Sequence, residues 1–350
     1  MSKQEMIQKA RTIKEINRPE LGELYRGKVR DNYFTKDGNI IMIATDRISC
    51  FDHVLSMQIP FKGQVLTQIM KHQADGVADI IPHNAFAMPD PQVLIVKDAK
   101  PYDVEMVVRG YITGSLWRDY VEKGPEQAGA QYGIVLPSGL KENQKFDEPI
   151  VTPTTKAKPE PDSNEDHHDE PVSEKEIITN YLLRDIEGVG LNGHPNPFYI
   201  KNSKYLEMKD KTIKVFKRGQ EMALEGGLIL VDTKYEYGDL DGVLYLIDEV
   251  HTPDSSRFWH SLPYYELFRA GKKQKSLSKE FVREYLKDQG YDKAVGKASL
   301  VDLTPEIIYE TALRYINLYE TLTTKEFVPG DMSRPLEERI MDNLRREGHV

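Results

Sequence analysis

The fold turns on two runs, LILVDTKYEYG (228–238) and GVLYLIDEV (242–250), joined by the turn residues of GDLDG (238–242). Both are rich in β-branched and aromatic residues, and an Asp/Gly cluster between two such runs reads as a hairpin. A strand period of two places Asp232, Lys234 and Glu236 on one face, directly after four apolar residues suited to a buried strand. Pairing symmetric about Leu240 sets Asp232 opposite Asp248 and Glu236 opposite Leu244, which brings Asp248 to the same face. Three carboxylates and one lysine then converge, and oxygen ligands on adjacent strands suit Mg²⁺ held together with phosphates. The same four residues also fit a cross-strand ladder of salt bridges on a solvated face.

Upstream, ELYRGKVRDNYFT (23–35), the turn Asp37-Gly38-Asn39 and the apolar run that follows read as β-structure from Leu21 to Asp46. Val65, Ile69, Met70 and Val77 recur at helical spacing, whereas QVLIVK (92–97) and DVEMVVR (103–109) are β-rich and separated by Pro101. The expected organisation is a helical leader at 1–20, an antiparallel β lobe with one helix at 21–110, and an α+β lobe at 111–350. Within the second lobe, KAKPEPDSNEDHHDEPVS (156–173) has no apolar period, so 158–172 is expected as an acidic surface loop. Helical periods run over 205–224, 278–289, 305–324 and 335–346.

The chain has 350 residues and a formal net charge of −9, which disfavours nucleic acid and acidic membranes as partners. Its apolar runs, such as 40–44 and 228–231, are far below the roughly 20 residues of a membrane helix. The N-terminus lacks a signal-peptide core. Cys50 is the single cysteine, so neither an intrachain disulfide nor a cysteine zinc site is available, and a cytoplasmic setting is expected.

Two further groups could carry chemistry. Gly22 to Val29 comes within one residue of a P-loop, but Val29 replaces the magnesium-binding hydroxyl and strand-like residues follow. What remains is either a glycine-containing hairpin over a nucleotide, with Lys28 and Arg30 facing phosphates, or a plain turn with solvated basic residues. Arg109 closes a strand, Ser115 lies among glycines before a helix, and with Arg257 they form a candidate phosphate clamp, although a lone arginine is usually a surface ion pair. His167-His168 lacks a convincing third ligand for zinc.

Taken together, LYRGKVRDNY, ATDRISCFD, KGQVLTQI, VVRGYITGSLWRDY, TPTTKA with HHDE, LILVDTKYEYG and LIDEVHTPDSSRFW resemble, in order, the signature blocks of the phosphoribosylaminoimidazole-succinocarboxamide synthase (SAICAR synthetase) family, over about residues 22–260. The resemblance implies a two-lobed α+β fold whose antiparallel N-terminal lobe is like that of protein kinases and ATP-grasp enzymes, with ATP in the interlobe cleft. It implies a ligase of purine biosynthesis. L-aspartate is joined to the carboxylate of 5-amino-1-(5-phosphoribosyl)imidazole-4-carboxylate (CAIR) through an acyl phosphate, giving SAICAR, ADP and phosphate.

Carried over by motif, Gly27, Lys28 and Arg30 face the ATP phosphates, Glu236 and Asp248 hold Mg²⁺, and Arg109, Ser115 and Arg257 grip the CAIR phosphate. Asp232 and Lys234 flank the reacting carboxylate. Lys156, His168 and Asp169 assist substrate binding, Asp46 and Asp52 line the cleft, and Lys97 with Glu105 serve the adenine site. The chain departs from the family at Cys50, which replaces an alanine. The segment between TPTTKA and HDE is longer than usual, leaving His167 and His168 as alternatives, and SLSKEFVREYL (276–286) follows S-x-D-K-Q only loosely, so no role is transferred there. A ligase with a different acid or amine and a noncatalytic nucleotide-binding module are the alternatives. A protein kinase is disfavoured by the missing H-R-D-x4-N and D-F-G strings. The oligomeric state is open.

Overall fold

Fourteen strands and eight α-helices carry the described residues, which in the computed structural model are 1–51, 53–156, 169–178, 200–277, 279–292 and 295–350. The expectations placed on Asp52 and His168, and on most of the 158–172 loop, lie outside them. The N-terminal half contains β1 (Glu23–Arg26), β2 (Arg30–Phe34), β3 (Asn39–Ala44), β4 (Arg47–Cys50), β5 (His53–Gln58), β6 (Ala85–Asp90), β7 (Val93–Lys97), β8 (Lys100–Pro101) and β9 (Val104–Tyr111), with helices α1 (Lys3–Lys9) and α2 (Lys62–Gly76). Then come α3 (Gly114–Ala130), β10 (Lys145–Val151), β11 (Thr154–Thr155), α4 (Asn202–Glu225), β12 (Leu228–Leu240), β13 (Val243–Ile247) and β14 (Ser256–His260). The chain continues through α5 (Tyr264–Arg269), α6 (Glu280–Asp288), α7 (Pro305–Thr323) and α8 (Leu336–Arg346).

A five-stranded antiparallel sheet of order β1-β2-β3-β7-β6 forms the first lobe. Alternation divides its apolar residues between two faces. Ile40, Met42, Leu94 and Val96 pack with Met70 of α2, while Ile41, Ile43, Val93 and Ile95 pack with Leu336, Ile340, Met341 and Leu344 of α8. Helix α8 is also fixed by a two-pronged pair from Arg339 to the fully buried Asp90, both bonds at 2.9 Å.

The second sheet has seven strands arranged around β12, whose thirteen residues pair with β9 and β14 through the first half and with β13 and β8 through the second. Val104–Tyr111, grouped by sequence with the first lobe, belongs to this sheet. Its composition specifies a strand but does not select a partner. One face, carrying Val104, Met106, Val108, Tyr235 and Tyr237, is buried in the main core together with Tyr205, Met208, Val215 and Phe216 of α4. The other face is polar and forms the candidate site.

The hairpin register differs from the one expected. Asp241 and Gly242 both have positive φ (54° and 81°), so the turn is a two-residue one of the kind whose twist matches the flanking strands. Leu240 therefore pairs with Val243 and Glu236 with Ile247, not with Leu244. Asp232 faces Arg109 and Arg257 rather than Asp248. Asp248 lies just beyond β13 in a left-handed conformation, φ 62°.

Candidate active site

Side chains opposite one another across a ladder share a face, so Arg109, Asp232 and Arg257 form a row across β9, β12 and β14. Arg257 pairs with the Asp232 carboxylate, and Arg109 Nη1 approaches it at 3.6 Å. Arg109 Nε donates to Thr152 Oγ1 at 2.9 Å and Nη2 to Ser115 Oγ at 3.4 Å. Asp232 raises the Arg257 pKa, whereas burial lowers that of Arg109. Gly114 opens α3 at φ 63°, and a Cβ there would lie 2.5 Å from Arg257 Nη2; a bare backbone lets the guanidinium lie against the helix start. A cavity of about 260 Å³ is walled by Arg109, Ser115, Asp232, Lys234 and Arg257. The three clamp candidates thus meet in one place.

One step along the same face, Lys234 donates to Glu105 at 2.6 Å and pairs with Glu236, which Lys156 also reaches. Burial pushes the Glu236 carboxyl up, but Lys234 and Lys156 outweigh it and hold the pKa down at about 2. Burial also opposes the Lys234 charge, and Glu236 and Glu105 reverse that, raising its pKa. Glu105 is raised by burial first, with Asp169 among the nearby charges acting in the same direction. The Lys97 ammonium has a different neighbour and lies over the Tyr245 ring at 5.7 Å from the centroid.

The Gly27–Arg30 loop borders a second cavity of about 520 Å³ that shares Lys234, Asp254, Ser255, Arg257, Lys279 and Arg283 with the first. Arg30 pairs with Asp248 and Glu249 across the lobes. His83 helps place Asp248: its Nδ1 accepts from Ala85 N at 2.9 Å, so Nε2 is the protonated nitrogen that meets the Asp248 carbonyl at 3.1 Å. Asp46 takes no part in lining either cavity. It is buried, accepts from Ile13 N at 2.8 Å and Gly63 N at 3.0 Å, and burial lifts its pKa to about 6.

Several cleft residues escaped sequence reasoning: Arg118, Glu249, Asp254, Lys279 and Arg283. A signal for part of them was present, since Lys279, Arg283 and Lys287 recur every four residues along α6 and therefore share a face. The second cavity is lined by eight lysine and arginine side chains against four carboxylates, in a chain of net charge −9, so its local charge suits an anion. Among the described residues no three His, Cys, Asp or Glu side chains form a metal cage. The donor chemistry nevertheless fits magnesium of the kind that takes one or two carboxylates and completes its shell with water and phosphate, because Asp248 lines the cleft beside Lys28, and Glu236 pairs with Lys234, which lines it as well.

The family model described as SAICAR synthetase matches residues 23–298. Over 336 residues the chain is 44% identical to phosphoribosylaminoimidazole-succinocarboxamide synthase of Bacteroides fragilis, covering 96% of this chain and 98% of that one. A relative of the same name from Azobacteroides pseudotrichonymphae is 45% identical over 321 residues, covering 92% and 90%. Among solved structures, SAICAR synthase from Saccharomyces cerevisiae complexed with SAICAR is 29% identical with a TM-score of 0.68, covering 90% of this chain and 99% of that one.

Proposed function

The chain belongs to the SAICAR synthetase family, and from that membership we propose how its cleft carries out the reaction. The protein is the ATP-dependent ligase of purine biosynthesis that joins L-aspartate to the carboxylate of CAIR, yielding SAICAR, ADP and phosphate. The observation that carries the site assignment is the Arg109–Asp232–Arg257 row, with Ser115, in a cavity sharing its wall with the glycine loop. A phosphate clamp beside a nucleotide loop is what a reaction between a phosphorylated acid and ATP requires.

In this reading ATP lies in the interlobe cleft under Gly27, Lys28 and Arg30, a placement analogous to that in protein kinases. Arg109, Ser115 and Arg257 hold the CAIR phosphate, and Asp232 keeps the two guanidinium groups in register between their strands. A carboxylate oxygen of CAIR attacks the γ-phosphorus, ADP departs, and the acyl phosphate forms. The amine of aspartate then attacks the acyl carbon and loses a proton, while phosphate leaves with the former carboxylate oxygen. Lys234 stays protonated because Glu236 and Glu105 hold its charge, and it neutralises the negative charge gathered around the acyl group. Lys156 and Asp169 border the same acids and assist substrate binding. Glu236 and Asp248 would hold Mg²⁺, which when bound orients the γ-phosphate and screens its charge. The single cysteine, buried and free, supports a cytoplasmic enzyme; among the described residues no helix is long and apolar enough to cross a membrane.

The test is CAIR labelled with ¹⁸O in its carboxylate, incubated with ATP, Mg²⁺ and aspartate. SAICAR appears by mass, and one label passes to inorganic phosphate per turnover. Turnover that leaves phosphate unlabelled refutes the acyl-phosphate route.

A further inference from the structure

The Gly27–Arg30 loop has four carbonyl groups, and protein donors take all of them. Arg47 Nη2 donates to Gly27 O at 2.9 Å and to Arg30 O at 3.1 Å, and Arg47 Nε donates to Lys28 O at 3.0 Å. Thr45 takes the remaining one, giving Val29 O its backbone N–H at 3.0 Å and its Oγ1–H at 2.8 Å. The Arg47 guanidinium also reaches Lys14 O, and it pairs at 2.9 Å with Asp31, whose side chain is fully buried. Arg47 itself is only 5% exposed. It lines neither cavity, although its group orders a loop that lines the second.

Carbonyl oxygens turned toward a triphosphate would oppose its charge, and a four-residue loop free to rotate its peptides would present them part of the time. We propose that Arg47 is a positioning residue for the nucleotide: it gathers three loop carbonyls onto one buried guanidinium, so that the loop meets phosphate with its donor side. Thr45 does the same for the fourth. The proposal rests on the assignment of ATP to this loop. The planar fork of arginine suits the task because its donors point along several fixed directions, whereas a lysine ammonium is a point charge at the end of a flexible stem. Charge is thus not the property that matters here.

The experiment measures, by calorimetry, the affinity for ADP with Mg²⁺ and separately for CAIR, in wild type, Arg47→Lys, Thr45→Val and Lys28→Ala. Arg47→Lys keeps a cation beside Asp31 but loses the fork; ADP should bind about 10- to 30-fold more weakly, on the scale of one or two hydrogen bonds to a charged network, and CAIR within about twofold of wild type. Thr45→Val, which keeps the backbone donor, should weaken ADP about threefold and serves as the deciding variant should Arg47→Lys not fold. A purely structural role would move both ligands together, so parallel loss of ADP and CAIR affinity overturns the proposal. Unchanged ADP affinity in the folded variants also overturns it. Lys28→Ala separates the two levels: if it leaves ADP binding intact, the nucleotide lies elsewhere, whereas if it weakens ADP while Arg47→Lys does not, only the role of Arg47 falls.

Discussion

Gly114→Ala should damage the clamp proposed for the CAIR phosphate without replacing a charged residue. Two costs can be worked out. The φ of 63° is left-handed, where a residue with a Cβ is strained by about 1 to 2 kcal/mol, which sets the expected loss of stability. The new Cβ would also sit 2.5 Å from Arg257 Nη2 and 2.8 Å from its Cζ, so the guanidinium must move. Arg257 is the flexible partner and will shift off the helix start, pulling away from Asp232. Loss of one charge-assisted contact to phosphate is worth about 1.5 to 3 kcal/mol, which corresponds to a CAIR KM raised about 10- to 150-fold. The assay is steady-state kinetics with CAIR and ATP varied independently, alongside a thermal melt. The ATP KM should change far less than the CAIR KM: Arg257 borders the cavity proposed for the nucleotide, but the loop proposed to hold the phosphates joins β1 and β2. A variant with lowered Tm but an unchanged CAIR KM would refute the packing of Arg257 on Gly114 as a binding device. Equal weakening of CAIR and ATP would show that the damage is general.

Glu236→Gln and Asp248→Asn should fold and lose most of their kcat, with partial rescue at raised Mg²⁺; near wild-type kcat in both would remove these acids from the metal site. Because the folded pKa of Glu236 is held at about 2, below its ordinary 4.5, its stabilising contribution is present above about pH 4.5 and lost as pH falls toward 2. Glu236→Gln should flatten that part of the acid limb in equilibrium urea unfolding, and an unchanged limb would contradict the ion pairs described. Lys62→Met should cost about 3 kcal/mol, the low end for breaking a buried pair, since Asp254 would lose its partner at 2.8 Å but keep Lys279 at 3.8 Å. Urea unfolding reads this directly, and a loss below about 1 kcal/mol would mean Asp254 is not left uncompensated.

The polar face of β12 was legible because strand periodicity is local: Asp232, Lys234 and Glu236 alternate with residues that sink into the core. Their partners were less so. A hairpin centred on Leu240 leaves Asp241-Gly242, a dipeptide able to supply two positive φ values, off the centre of the turn and puts Asp248 opposite the wrong residue. Motif similarity brought Arg109, Ser115 and Arg257 to one cavity, but it says nothing of what Lys97 and Glu105 touch, which is the Tyr245 ring for the one and the Lys234 ammonium for the other. Asp46 reads in sequence like any acid in a signature block, and only the packed structure shows its oxygens committed to two backbone N–H groups. Lys279 and Arg283 come from a helix distant in sequence, and no local pattern says that α6 turns its basic face to the cleft.

The docking of α8 on the first sheet has a consequence in time. Ile41, Ile43, Val93 and Ile95 leave the ribosome well before the helix that covers them, which begins at Leu336. Until that helix is synthesised, this face of the first sheet has only the preceding Ile13, Ile16 and Leu21 to pack on it and the rest is open to water, with the Asp90 carboxylate still awaiting Arg339. The Gly27–Arg30 loop is thus strung on a sheet that is closed only once the segment Leu336–Arg346 has been made, and the nascent chain must keep that surface from other partners until then.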